Sequence, residues 1–594
     1  MDEAEGRSQR TGADVKFAPV PSSLSPLQLP EDPKESEKLF NSLPIKSQLD
    51  FLLRAHGKER LHCLFLSKNP EQLVQQLPEL EVFLTVKEVG EKDALSLISL
   101  TTPEQFQFLL DFDCWNKDEL NPEKILHWVE ILLECGEKKI AQFIHSADPE
   151  FIAFLFMKFL RVTILEGEPV EVEDKAPRFT LDQYYFVHFL RRGTKEVLEP
   201  FLKIFSLIDA EGYRRLMEAL NMEIESELEE IEYRLRNGRL AEYGFPEFEE
   251  ALDIYRFLHP DSMIFKKKTS SVERPIESEK SQATFYLTFL EEGPFFSSML
   301  AKIDDPLEQD RLKVDLAALL NRAMIAEATD LSNLKEIERV SKKVFHYLNT
   351  GLQYLSQEEE SQALDVLRSL PLQRLFQCGV SLTLLQKKKA ETILKGPWFE
   401  GDRENLMLLD SPYLERFEGI LKKRPDLHRK GKIEDFKNLQ DLKETESLLE
   451  SVAVIVDFLE KRLGVSPHSL KGLELKGCHP EDWRELTLST LFLTGLANQV
   501  LKGLFQFEAI EKARLNDLLS LIFERDEKGG VVIKTEIKRG LKDGFDEMEI
   551  DENRRSHLLA FRDFCLDLLE AEFGKVPPGE EIDPRFVKGL LICE

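Results

Sequence analysis

The sequence predicts an all-α protein: an irregular, superhelical, solenoid-like array of short stacked helices at its N-terminal end, then further helical domains and at most a small β-hairpin. Three observations carry that expectation. One helix-opening phrase is written four times, the apolar residues after each copy recur at helical spacing, and strand signals are few, "GGVVIKTEI" (529–537) being the best of them.

The phrase is "NPEQLVQQL" from Asn69, "TPEQFQFLL" from Thr102, "NPEKILHWVEIL" from Asn121 and "DPEFIAFLF" from Asp148. Its first residue can accept a hydrogen bond from an orphan amide of a new helix. Proline follows where a missing N–H costs nothing, and Glu then faces the positive end of the helix dipole. Behind the openings, Phe106, Leu109 and Leu110, then Ile125, Trp128, Val129 and Leu132, then Ile152, Leu155, Phe156 and Phe159 form apolar stripes. The copies start 33, 19 and 27 residues apart, so the array has no fixed period. Repeated starts cut a long helical stretch into short helices that must stack to bury their stripes.

A tail is expected at 1–36, the repeat domain at 37–165, and a linker or small hairpin at 166–179, where "EGEPVEVEDKAPRF" is acidic and proline-bearing. A middle helical domain follows at 180–395, with a polar exposed loop at 266–281. A C-terminal helical domain is expected at 403–575 and a tail at 576–594. In it, "TESLLESVAVIVDFLEKRLG" puts Leu448, Val452, Ile455 and Leu459 on one face and stops at Gly464.

Residues 61–160, with their Pro-Glu openings, resemble the cytosolic N-terminal superhelical domain of MgtE-type magnesium transporters. That likeness implies a helical scaffold; it does not imply transport. "LFNSLPIKSQLDFLL" (39–53) and "RLAEYGFPEFEEALDIYRFL" (239–258) resemble an uncharacterised family of large, mostly helical bacterial proteins known only as a domain of unknown function. This second resemblance implies neither a reaction nor catalytic residues.

Composition narrows the classes. A chain of 594 residues exceeds one ordinary core, and 41 Phe are far more than a solvated coil carries. With 79 Lys and Arg against 109 Asp and Glu, the net charge of −30 repels phosphate backbones and argues against nucleic acid and anionic membranes. The start lacks the basic and apolar regions of a secretory signal, and the longest charge-free stretch, 486–501, is short of a bilayer span. The seven cysteines never fall as CxxC, so free thiols in a reducing cytoplasm are expected, without a disulfide framework or zinc knuckle.

Candidate chemistry is sparse. In "GFPEFEEALDIYRF", Phe248, Ala251, Leu252 and Tyr255 share one helical face, and Glu249, Asp253 and Arg256 share another. The carboxylates Glu249 and Asp253, one turn apart, can hold a divalent cation or divide acid and base roles, although a solvated helix face is the commoner use. Glu59 and His62 have the Glu-x-x-His spacing of di-iron bundles, but no second copy exists. His127 with Cys135 is a conceivable nucleophile pair, with core packing beside Trp128 the commoner role. His62-Cys63 and Cys478-His479 lack further zinc ligands nearby, and His479, before Pro480 and Glu481, is expected at a helix start. "GLELKGC" (472–478) puts Cys where a phosphate loop needs Lys, so no nucleotide cofactor is expected. The most basic stretch, 421–437, is read as a solvated loop or a docking patch for an acidic partner through Lys422, Lys423, Arg424, Arg429, Lys430 and Lys432.

These readings converge on a cytoplasmic scaffold or adaptor that binds other proteins, with no cofactor. The rivals are an enzyme, such as a metal-assisted hydrolase whose site assembles only in three dimensions, and a divalent-cation sensor.

Overall fold

The computed structural model describes residues 30, 32–116, 119–164, 178–222, 225–265, 285–291, 293–331, 333–525, 531–546, 550–574 and 582–594. The expected loop at 266–281, nearly all of the linker at 166–179 and most of the tail at 1–36 lie outside the described residues. The chain divides into two compact units, Met1–Cys378 and Gly379–Glu594. Both are built mainly of helices, and among the described residues strands occur only as short pieces in small sheets. None of the described helices is long and apolar enough to cross a membrane.

In unit 1 the repeated openings do start helices. Thr102 caps Pro103–Asp113 in a reciprocal box with Gln105, Asn121 accepts from the amides of Glu123 and Lys124, and Asp148 accepts from that of Glu150. Asn69 makes no such bond with its side chain. Neighbouring helices pack in series: Gly57–Leu66 on Glu79–Val89, that helix on Pro103–Asp113, and Pro103–Asp113 on Pro122–Cys135. Glu225–Glu242 packs on Pro149–Met157, and Leu334–Ser356 on Glu79–Val89, so elements of the expected repeat and middle domains share one unit.

Unit 1 also holds more strand than the sequence reading allowed. Leu160–Ile164 pairs antiparallel with Tyr185–Phe189, which in turn pairs with Arg178–Phe179. Leu160, Val162, Tyr185, Val187 and Phe189 are buried and alternate with less buried neighbours, as a sheet with one covered face requires.

A single apolar core runs through unit 2 from Ala390 to Ile592, centred on the helices Leu439–Leu463, Leu488–Lys502 and Glu552–Phe573. The expected strand near 531 is there, Val531–Ile533 pairing with Phe523–Arg525. The end of the chain is no free tail from 582 onward. Val587, Leu590, Leu591 and Ile592 are buried, and Ile592–Cys593 forms the middle strand of a three-stranded sheet between Cys478–His479 and Ile510–Glu511.

Candidate functional site

The sequence candidates are dispersed. Glu249 and Asp253 are exposed, and Asp253 faces Arg256 at 4.0 Å. The α-helix Phe248–Ala251 tightens into a 3-10 turn, Leu252–Tyr255, so three residues per turn bury Ala251 and Ile254 and leave Phe248 and Leu252 exposed. Of the face read from the sequence, Ala251 is buried and Tyr255 half-buried, while Phe248 and Leu252 are exposed. Glu59 and His62 are exposed. His127 lies 3.9 Å from Glu130, while burial pushes the half-buried Cys135 thiol up to about 11, far from a nucleophile. Among the described residues, no three His, Cys, Asp or Glu side chains are grouped to hold a metal ion.

The basic stretch is a hairpin, not a loop. Leu427–Arg429 pairs with Lys432–Glu434 across Lys430 and Gly431, both at positive φ, as a two-residue turn demands. Arg429 is drawn inward to Asp441 (2.7 Å) and Glu444 (2.5 Å), and Lys422 pairs with Asp426 (2.8 Å). Lys423, Lys430 and Lys432 stay exposed.

The buried charges Arg60, Asp111 and Asp113 of unit 1 hold helices together. Arg60, fully buried, meets Glu81 at 2.6 Å and donates to the carbonyls of Leu52, Ala55 and Glu81 and to the Thr85 hydroxyl. Asp113 takes Lys87 at 2.7 Å, Lys124 at 3.2 Å and the Trp128 indole at 2.8 Å, and Lys87 foremost holds its carboxyl below the usual range against burial. Asp111 receives Arg239 through two nitrogens, at 2.7 and 2.9 Å.

One row of side chains in unit 2 has the composition of a hydrolase triad. Ser451 Oγ lies 2.7 Å from His557 Nδ1, and His557 Nε2 lies 3.5 Å from Glu450. The Ser451 hydroxyl lies within hydrogen-bond reach of both the Ser447 carbonyl, at 2.8 Å, and His557 Nδ1, and its proton serves one or the other according to the histidine tautomer. Ser451 also sits mid-helix, where neighbouring amides are bonded within the helix and cannot form an oxyanion hole.

A cleft of about 1100 Å³ in unit 2 is the strongest candidate site. Four separated stretches build it: Asp410, the 473–489 segment, the C-terminal half of Glu552–Phe573, and 585–589. At its floor Asp410 caps the helix Leu488–Lys502 from a distance in sequence, accepting from the Ser489 amide at 2.9 Å and from the Ser489 hydroxyl. Burial pushes the Asp410 carboxyl up, opposed by the hydrogen bonds from Ser489 and Thr487. Glu572 accepts from the amides of Lys588 (2.5 Å) and Gly589 (3.0 Å), fixing the last wall. A Cβ at position 589 would lie 2.7 Å from the Glu572 carboxylate and would displace it from this position.

The rim is acidic. Asp482 caps the short turn Trp483–Glu485, placing the helix start there and not at His479, which is engaged in the strand pair with Ile592. Trp483 offers a half-buried ring already approached by Lys471 at 4.9 Å. Arg585 is neutralised by Asp583 at 2.6 Å, whereas the exposed side chains of Glu481 and Glu485 have no hydrogen-bond or ion-pair partner among the described residues. Sequence reasoning missed this site. Thr487 before an apolar run is a readable helix start, but nothing in the spacing links it to Asp410.

A family model described as a family of unknown function (DUF6178) matches residues 37–593. No curated protein and no solved structure matches the chain.

Proposed function

The chain belongs to DUF6178, a family of unknown function, and on that premise we propose that it is a cytoplasmic helical scaffold or adaptor that takes a basic segment of a partner protein into the unit 2 cleft. The observation that carries this reading is the unpartnered acidic rim, Glu481 and Glu485, beside an aromatic ring and an aliphatic wall of Leu473, Leu475, Leu568 and Val587. Carboxylates without internal partners keep their attraction for an incoming cation, and Trp483 can stack on guanidinium groups. The overall charge of −30 adds long-range steering of the same sign.

The test uses the tagged full chain, purified from its host at moderate and high salt, beside a Glu481→Gln, Glu485→Gln variant. A partner near equal stoichiometry that cross-links to the cleft and is lost both at high salt and in the variant is the expected result. An oligoarginine peptide serves as a direct probe, read through Trp483 fluorescence with Trp483→Phe as control. A protein recovered alone that also ignores the peptide would sink the proposal, and so would a partner held equally by the variant. The rival is an enzyme acting through the Ser451, His557 and Glu450 row despite its mid-helix serine, and labelling of Ser451 by a fluorophosphonate probe would favour it over the scaffold.

A further inference from the structure

Cys478 and Cys593, expected as free thiols, are joined by a disulfide across 115 residues. Their strands run antiparallel, with Cys593 directly opposite Cys478 and Ile592 opposite His479. The bridge therefore ties together two elements that line the cleft: His479 and Pro480 continue from one cysteine, and Arg585, Val587, Lys588 and Gly589 lead into the other.

We propose that this bridge is a redox-modification site, opened by a dithiol reductant, whose state governs how firmly the C-terminal wall of the cleft is held; its bearing on ligand access rests on the cleft reading above. Cys478 is 5% exposed and Cys593 is half-buried, so a thiolate of the reductant reaches the Cys593 sulfur first. Attack there forms a mixed disulfide with Cys593 and expels the Cys478 thiolate, which takes up a proton. The reductant's second thiolate then attacks its own sulfur in that mixed disulfide and releases Cys593 as a thiolate, which is protonated in turn. Two electrons and two protons thus pass to the protein, and the reductant leaves as its disulfide. What remains of the wall's attachment is non-covalent: the Glu572 contacts, the Leu591 amide donating to Thr494 (3.0 Å), the Glu594 amide donating to Gly477 (3.1 Å), and the buried Leu590 to Ile592 run. The strand pairing of Ile592–Cys593 with Cys478–His479 and Ile510–Glu511 adds to these contacts, and the covalent tie reinforces them.

The experiment compares oxidised and dithiothreitol-reduced full-length protein by thiol alkylation with peptide mapping and by hydrogen exchange, with Cys593→Ser as a second route to the open state. Native reduction should expose Cys478 and Cys593 to alkylation before the buried Cys63, Cys114, Cys378 and Cys565. Amides at 587–594 should then exchange at least ~10-fold faster, with unit 1 unchanged. Failure to find a peptide linking Cys478 to Cys593 in oxidised protein would overturn the proposal, as would exchange at 587–594 unaltered by reduction. Oligoarginine binding separates the two readings: a peptide that never binds while the wall still loosens removes the cleft's proposed ligand and leaves the redox site, whereas binding with an inert wall does the reverse.

Discussion

Arg60, Glu81, Asp111 and Asp113 in unit 1 are 0 to 2% exposed and each is met by an opposite charge, whereas Glu481 and Glu485 in unit 2 stand exposed on a cleft and meet none among the described residues. Both units are helical and both carry many charges, so composition does not separate them. Partnering does. A buried ion pair whose remaining valences are filled by carbonyls and hydroxyls fixes helix against helix and has nothing left for a ligand. A rim carboxylate contributes almost nothing to the fold and keeps its full interaction for an incoming cation. The contrast gives the buried charges Arg60, Glu81, Asp111 and Asp113 a structural part and, on the function proposed above, leaves Glu481 and Glu485 for recognition; it can be broken by experiment.

The largest effect is expected at Arg60. Arg60→Met leaves Glu81 buried without its countercharge, and urea unfolding of the full chain should show a loss of about 3–5 kcal/mol in the transition that includes unit 1. Adding Glu81→Leu should restore much of that loss, because the double variant replaces the pair by apolar groups of similar bulk. A single variant as stable as wild type would deny unit 1 its structural charges.

In unit 2 the corresponding structural charge is Asp410, at the floor of the cleft and not on its rim. Asp410→Ala strands the Ser489 amide and hydroxyl at a buried helix start and should cost about 2–3 kcal/mol in the unit 2 transition. Asp410→Asn, which keeps an acceptor, should cost less. Equal losses would mean that charge at the helix terminus matters more than the hydrogen bonds.

Helix starts were legible because a cap, a proline and a glutamate act within four residues. Thr102, Asn121 and Asp148 bond their own first-turn amides, as the sequence implies. The small sheets were partly legible: Leu160, Val162 and Ile164 alternate as a strand should, yet a helical reading of the flanks absorbed them. The Phe248 face was misread at Phe248 and Leu252 because its spacing assumes 3.6 residues per turn and the chain there takes three. The cleft could not be read at all. Asp410 meets Ser489 across 79 residues and Cys478 meets Cys593 across 115, and both pairings follow from tertiary packing that leaves no local signal. In the basic run 421–437 the cations alone do not reveal Asp441 and Glu444, which engage Arg429 while Lys423, Lys430 and Lys432 stay exposed.

Glu232 sharpens the comparison through pH. It is buried in unit 1 with Arg239 at 3.7 Å, and burial pushes its carboxyl up to about 7 from an ordinary 4.5. Between those values the native state holds a proton that the unfolded chain has released, so stability from this group is full below about pH 4.5 and falls as pH rises through 7. Glu232→Gln should abolish that fall. Relative to the variant, wild type should lose about 2–3 kcal/mol between pH 5 and pH 8, read from urea midpoints at each pH. Asp113, held low chiefly by Lys87 and hydrogen-bonded by Trp128, works the other way: its contribution is present at neutral pH and lost as the solution is acidified below the ordinary carboxylate range.

The smallest effect on stability is expected where the effect on binding is greatest. Glu481→Gln with Glu485→Gln removes two charges that make no hydrogen bond or ion pair among the described residues, so both unfolding transitions should stay within about 0.5 kcal/mol of wild type. Affinity for the oligoarginine probe should fall several-fold at low salt, and the difference should shrink as salt is raised, because screening weakens what the variant has already lost. A stability loss comparable to that of Asp410→Ala would mean that the rim is structural after all, and the distinction between the two units would go with it. Unchanged stability with unchanged binding would keep the distinction and move the site of recognition elsewhere, whereas unchanged stability with weakened binding is the signature of charges that the fold does not use.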